Sequence, residues 1–261
     1  MDAAALLDRF DRFERRDALA LGTRREETPF VVRHVGAPDA PSWVIYSRLD
    51  GADVDAVIAG EIARFQALGQ PFEWKHFDHD RPADLHERLV AAGFERGEDE
   101  QLLVLDLGTE TLPDWLSEPD LSTVRDGGVE LVDDLVHVAE VVWPEHTSWV
   151  RTSLATELVQ APGDTRIFAA YHDGRPVAAA WTRRTPGSPF LGLFGGATLP
   201  EARGRGHYRA LVAARARHAR AIGADVLWVD AGPMSAPVLM RLGFVRLAVT
   251  TPFNWRPTAV G

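Results

Sequence analysis

The chain has 261 residues, 46% of them hydrophobic and 25% charged, enough for one large domain or two small ones. Its formal net charge of −10 excludes nucleic acid as the main partner, since phosphate backbones need a basic face, and favours a cationic small substrate. The absence of cysteine excludes disulfides, thiolate catalysis and cysteine-based zinc sites, and fits a reducing, cytoplasmic setting.

In chain order, Met1 to Ala20 carries Asp2, Asp8, Arg9, Asp11, Arg12 and Glu14, too many charges for a secretory signal. No apolar run is long enough to span a membrane. Leu6 to Leu19 reads as an amphipathic helix. Residues 30–35 and 43–46 read as strands, rich in β-branched and aromatic side chains. Val54 to Leu68 is helical by period, with Val57, Ile58, Ile62, Phe65 and Leu68 on one side, and Gly69 ends it. A strand follows at 72–77, a helix at 83–92 closed by Gly93, and a strand at 101–107. Thr109 to Asp126, with Pro113, Pro119, then Gly127 and Gly128, reads as a linker. The second half restarts at Val129–Val132. Helices are expected at 134–142, broken by Pro144, and at 148–160. A hairpin spans 166–182, with Asp173-Gly174 in its turn. Then come a strand at 191–199, the loop 203–208, a helix at 208–222, a strand at 226–229 and a short helix at 236–242.

The halves repeat. A shift of the first by about 154 residues lays Ala67, Gly69 and Trp74 on Ala221, Gly223 and Trp228, and after a short gap Gly93-Phe94 falls on Gly243-Phe244. The same shift lays Leu49–Val54 on Arg203–Tyr208. Where the second copy has Arg203 and Arg205, the first has Asp50 and Asp53.

The sequence Arg203-Gly204-Arg205-Gly206-His207-Tyr208 runs directly into a helix. Glycine permits a tight turn and a close backbone approach, the first amides of a helix attract anions, and arginines add charge-assisted hydrogen bonds. A solvated turn or a site for a different nucleotide would use the same residues.

The order of strand, glycine–arginine loop, helix, strand, short helix and Leu242-Gly243-Phe244 resembles the GCN5-related N-acetyltransferase (GNAT) family over roughly residues 123–257, and more faintly over the first 110. The resemblance implies an α+β fold, an α/β sandwich of two GNAT-like halves, each a mixed, mostly antiparallel sheet flanked by helices. It implies a degenerate domain at 1–118 and an acetyltransferase domain at 119–261, paired as a pseudo-dimer within one chain that is itself a monomer or a homodimer. Acetyl-CoA is the implied donor, with no metal, and an amine of a small molecule or peptide the implied acceptor. Ala197, Thr198 and Leu199 would supply backbone hydrogen bonds to the donor, and Gly195-Gly196 would form a bulge. Arg203, Gly204, Arg205, Gly206, His207 and Tyr208 would hold its pyrophosphate, with the Tyr208 side chain turned away into helix–sheet packing.

The family often places a tyrosine on the short last helix to protonate the departing thiolate, and that position is Leu239. Ser235, one turn earlier, is a substitute or an N-cap. Asp230, at the end of a strand, is the expected base or a loop anchor. Glu145 and His146 would recognise a cationic acceptor, beside an apolar wall of Trp143, Trp149 and Phe194. His76, Asp78, His79 and Asp80 lack a third spatially fixed ligand and read as no metal site. The alternative to an enzyme is a silent acyl-CoA sensor that kept the loop and lost the chemistry.

Overall fold

The computed structural model describes residues 2–38, 40–108, 113–117, 120–144 and 150–258, apart from the side chains of Ser117, Thr152 and Ser153. The described residues form two compact units that interleave in sequence. One takes Met1–Leu103, Asp230–Met240 and Arg246–Gly261; the other takes Val104–Val229 and Arg241–Val245. No helix among the described residues is long and apolar enough to cross a membrane.

In the first unit, α1 (Ala3–Phe10) starts at Asp2, whose carboxylate accepts the Ala5 N–H, and runs into a π-helical turn, Asp11–Arg16. The expected uniform helix over 6–19 thus widens midway, and its wider turn carries Arg15 into the core. There Arg15 is 1% exposed and donates to both carboxylate oxygens of Asp80, at 2.7 and 2.9 Å, and to Asp11 at 2.8 Å. Its guanidinium lies 3.8 Å from the Phe77 ring centroid, an attraction that offsets part of the desolvation of the charge.

The strands β1 (Thr23–Glu27), β2 (Val31–Gly36) and β3 (Trp43–Ser47) form an antiparallel meander. β3 then pairs parallel with β4 (Phe72–Phe77) at Trp43–Glu73 and Val44–Trp74, the two being joined through α2 (Val54–Leu68). After α3 (Leu85–Ala91) come β5 (Glu95–Arg96) and β6 (Glu100–Asp106). The last strand of the chain, β12 (Val245–Trp255), pairs antiparallel with β4 and with β5. Ile58 and Phe65 of α2 and Leu85 and Leu89 of α3 pack on Val44, Phe72, Trp74, Phe253 and Trp255.

The second unit holds α4 (Asp114–Ser117), β7 (Val124–Gly127), α5 (Val132–Val142), α6 (Ala155–Gln160), β8 (Thr165–His172), β9 (Arg175–Arg183) and β10 (Phe190–Thr198). α7 (His207–Ala221) and β11 (Val226–Ala231) follow, the last two residues of β11 and α8 (Ala236–Arg241) up to Met240 being counted with the first unit. β7 to β10 are antiparallel neighbours in order, and β10 pairs parallel with β11. The turn between β8 and β9 has Asp173 and Gly174 both at positive φ, 48° and 75°, as a tight Asp-Gly hairpin turn requires. Leu135, Val136 and Val138 of α5 bury one sheet face with Trp181 and Ala197. Leu211 and Ala214 of α7 cover Phe168, Ala170, Ala178 and Ala180.

Each unit therefore closes an antiparallel meander with a parallel strand pair bridged by a helix. The glycines aligned by the repeat share backbone conformations: Gly69 and Gly223 have φ of 63° and 70°, and Gly93 and Gly243 have 93° and 92°.

Two strands depart from the sequence reading. β7 lies inside the stretch read as linker, and residues 129–131 form a 3-10 turn instead of a strand. β1 reads Thr-Arg-Arg-Glu-Glu, with Arg24 paired to Glu26 and Arg25 to Glu27 two residues along one strand face. Its charge hides it from hydrophobic patterning, as suits an edge strand.

Asp80→Ala leaves Arg15 buried without its main counter-charge, and should cost about 3–5 kcal/mol of unfolding free energy; a loss under about 1 kcal/mol in urea titration would contradict this. His79 adds a pH term. Burial opposes its charge, but a 2.8 Å hydrogen bond to Asp11 and that residue's charge outweigh burial and raise its pKa. The stabilisation is complete below the unfolded value of about 6.5 and fades as pH rises through the raised one. Asp11→Asn should flatten the fall in urea midpoint across this window, and an unchanged slope would refute the assignment.

Candidate functional site

Strand β10 sets up the site. Its parallel pairing with β11 covers only Phe190–Val226, Leu191–Leu227 and Gly192–Trp228, then ends while β10 runs on to Thr198. On the β9 side the register shifts between Phe194 and Ala197, and Gly195 there has φ of +54°. The Gly195-Gly196 bulge expected from sequence is therefore present. Both glycines are also required by rings: a Cβ on Gly195 would lie 1.7 Å from Trp181, and one on Gly196 would lie 2.8 Å from Tyr208.

The Leu199 N–H is bonded to Val177 O at 2.9 Å. By strand alternation Ala197 faces β9 as well, paired with Ala179. Of the three residues expected to offer backbone hydrogen bonds to a ligand, Thr198 alone points its amide to the open side. This corrects the roles of Ala197 and Leu199, because sequence cannot say which edge of a strand a given amide serves.

Past a 3-10 turn at Pro200–Ala202, Arg203 folds back and donates from Nε to Thr198 O at 3.2 Å. It is thus a brace for the strand end. Gly204 and Gly206 have φ of +74° and +87°, values any side chain would strain. Gly206 is the N-cap of α7 and no side chain caps it. The first α7 amide bonded to a carbonyl of this turn is Ala210, to Gly206 O at 3.0 Å, so the amides of the first turn keep their outward direction. Arg205 is exposed beside them. Two buried polar atoms nearby, Thr198 Oγ1 and His207 Nε2, lack a partner among the described residues. Burial, His172 and Arg205 all lower the His207 pKa. The donor set suits a phosphate-bearing ligand: amides, an arginine, a hydroxyl and an imidazole.

The corresponding turn of the first unit is chemically opposite. Asp53 caps α2 with its own carboxylate, 3.1 Å from the Ala56 N–H, and Asp55 follows in the first turn. An anion already fills that helix start.

Tyr208 turns into the packing between α7 and β10, as expected. What sequence reading missed is its partner, Arg215. This residue is 1% exposed, donates from Nε to Leu211 O at 3.1 Å, and is coupled by charge and hydrogen bonding to the Tyr208 hydroxyl. Burial brings its pKa down to about 10. Its signal lay in spacing: 208, 211, 212, 215 and 219 fall on one helix face, and an arginine on that apolar stripe is out of place.

The residues expected to move protons fall as follows. Asp230 lies 3.3 Å from Lys75 Nζ and accepts from Thr250 Oγ1 at 3.2 Å; Lys75 also pairs with Glu100 at 2.5 Å. Ser235 precedes α8 and donates to Gly232 O at 3.3 Å, and Leu239 is fully buried. Glu145, His146 and Trp149 lie outside the described residues. Phe194 stacks on Trp181, with centroids 6.3 Å apart, and meets Trp228 edge-on at 5.4 Å, while Trp143 packs on the core of the second unit. His79 and Asp80 are committed to Asp11 and Arg15. Among the described residues no group of three or more His, Cys, Asp or Glu is placed to hold a metal.

Residues 129–244 match the model of the Acetyltransferase (GNAT) family. A GCN5-related N-acetyltransferase from Kribbella flavida is 18% identical, with a TM-score of 0.67 over 98% of this chain and 95% of that one. A tandem GNAT protein from the clavulanic acid biosynthesis pathway is 15% identical, with a TM-score of 0.59 over 98% and 88%. A putative GNAT acetyltransferase from Novosphingobium aromaticivorans is 17% identical, with a TM-score of 0.58 over 90% and 92%. No curated protein matches the chain. The fold is the mixed α+β fold of these acetyltransferases, and the segment matching the family model includes the loop and α7.

Reversing the cradle charge, by Arg203→Glu with Arg205→Glu, should weaken CoA binding about 100-fold or more in calorimetry. Asp50→Ala in the first unit should leave it within a factor of about 2. Equal losses from both would contradict the asymmetry.

Proposed function

We propose that the chain is an acetyl-CoA-dependent N-acetyltransferase that moves an acetyl group to an amine of a small molecule or peptide by direct transfer. The repeat halves, divided at 118 and 119, would form an internal pseudo-dimer in which only the second binds donor. The observation that carries this reading is the uncapped start of α7 beside a β10 edge that has parted from β11. The Thr198 N–H, the first-turn amides of α7, Arg205 and His207 would hold the donor, and Arg203 would brace the strand end. Acetyl-CoA supplies an acetyl group already activated as a thioester.

The chain's own contribution is mostly placement. Holding amine and thioester together converts a bimolecular step into a local one, and the Thr198 N–H would be a strand donor able to polarise a carbonyl. Phe194, with Trp181 and Trp228, supplies an apolar wall for the acceptor. Asp230, which pairs with Lys75, is the proposed acceptor of the amine proton. Ser235 and Glu145 complete the proposed polar groups around the reaction, and the protein acts in the cytoplasm.

A second reading, a silent acyl-CoA sensor, is favoured by the buried Leu239 and by the pairing of Asp230. Turnover separates the two. Incubated with acetyl-CoA and a panel of polyamines, amino acids and aminoglycosides, the protein should release free CoA in an acceptor-dependent manner, detected with a thiol reagent. Tight CoA binding with no release across the panel would favour the sensor.

A further inference from the structure

The first unit carries a groove that the donor site does not use. It lies between α2 and α3 and has a volume of about 740 Å³, inside the range of about 300–1,000 Å³ usual for small-molecule sites. Its floor is Ile58, 2% exposed, with Ile62 and Ala92, which also pack on the core of this unit. Its walls include Ala59, Ala63 and Ala91, all exposed. The outward side of a surface helix is normally polar. Here alanines stand where longer side chains would fill the space, so aliphatic surface stays open to solvent. Along α2 the lining runs from Asp55 to Gln66, about 16 Å at the helical rise.

The charges of the lining are Asp55, Glu87 and Arg88. The Arg88 guanidinium is held by Asp55 at 2.9 and 3.1 Å and by Asp84 at 2.9 Å. Glu87 lies 3.2 Å from His86. Three carboxylates around one guanidinium leave this rim negative, so it attracts a cation and repels an anion. At the other end of the α2 stretch, the Gln66 amide donates to the Thr258 carbonyl and accepts from the Thr258 N–H, both at 3.2 Å. That end offers no charge.

We propose that the α2–α3 groove is a binding site for an amphiphilic amine, whose aliphatic body lies on Ile58, Ile62 and the surrounding alanines and whose ammonium faces Asp55 and Glu87. The occupant follows from the lining. An apolar trough of this length takes an alkyl chain, and the surplus of carboxylates at its rim selects a positive head group over a phosphate or carboxylate. The charge preference is thus the reverse of that at the start of α7. Every residue involved belongs to the first unit, so the proposal stands apart from the donor-binding reading.

The test is calorimetry on the full chain with dodecylamine, kept below its micelle concentration at about pH 7.5, where an alkylamine is protonated. Laurate is the anion of matching chain length, and decylamine the shorter cation. Dodecylamine should bind about 10-fold more tightly than laurate and about 10-fold more tightly than decylamine, which buries two fewer methylenes. Filling the groove by Ala59→Phe with Ala63→Phe should weaken dodecylamine about 10-fold or more, with circular dichroism and the urea midpoint reporting that the fold is kept. Glu87→Gln, a milder change, should weaken dodecylamine about 3-fold and leave laurate no weaker. Equal affinity for dodecylamine and laurate would overturn the cationic preference. Dodecylamine binding that survives the filled groove, or that Glu87→Gln leaves unchanged, would overturn the assignment to this groove, and so would failure of wild type to bind dodecylamine. A parallel CoA titration reports on the donor site separately.

Discussion

An uncapped helix start is the feature on which the rest depends. The amides at the beginning of α7 stay available because the residue at the cap is glycine at φ +87° and no side chain accepts from them. Most helices satisfy these groups with a Ser, Thr, Asp or Asn. Leaving them open costs stability and creates a place for an anion. α2 makes the other choice, with Asp53 capping its own helix. The two helices occupy equivalent places in the repeat, so on the proposed reading one substitution pattern separates a cradle from a plain helix start.

The second requirement is a strand edge that a ligand can reach. β10 provides it by parting from β11 after Gly192 and bending at Gly195. The bend is fixed by packing as much as by backbone freedom, since Trp181 and Tyr208 occupy the space that side chains on Gly195 and Gly196 would need. Aromatic burial on both faces thereby sets the position of one amide, that of Thr198, and Arg203 secures the adjoining carbonyl.

Much of this was legible in the sequence. The glycines of the loop, the 3.6-residue period of α2 and the Asp-Gly turn are local signals, and each formed where expected. Edge strands were not legible: β1 is wholly polar and β7 lies in a stretch rich in turn residues. Nor was the loss of Ala197 and Leu199 as ligand donors, which depends on the register with β9. Asp230 kept its place at a strand end but acquired Lys75, 155 residues earlier in the chain, as a partner. Arg215 shows the converse, since a charge on an apolar helix stripe was visible and its full burial emerged only from the fold.

Backbone hydrogen exchange with and without CoA measures the central claim directly. The amides of residues 204–209 should slow markedly on CoA addition, together with that of Thr198, while those of residues 53–56 exchange at their original rates. Unchanged exchange at 204–209, or equal slowing at the start of α2, would contradict the account.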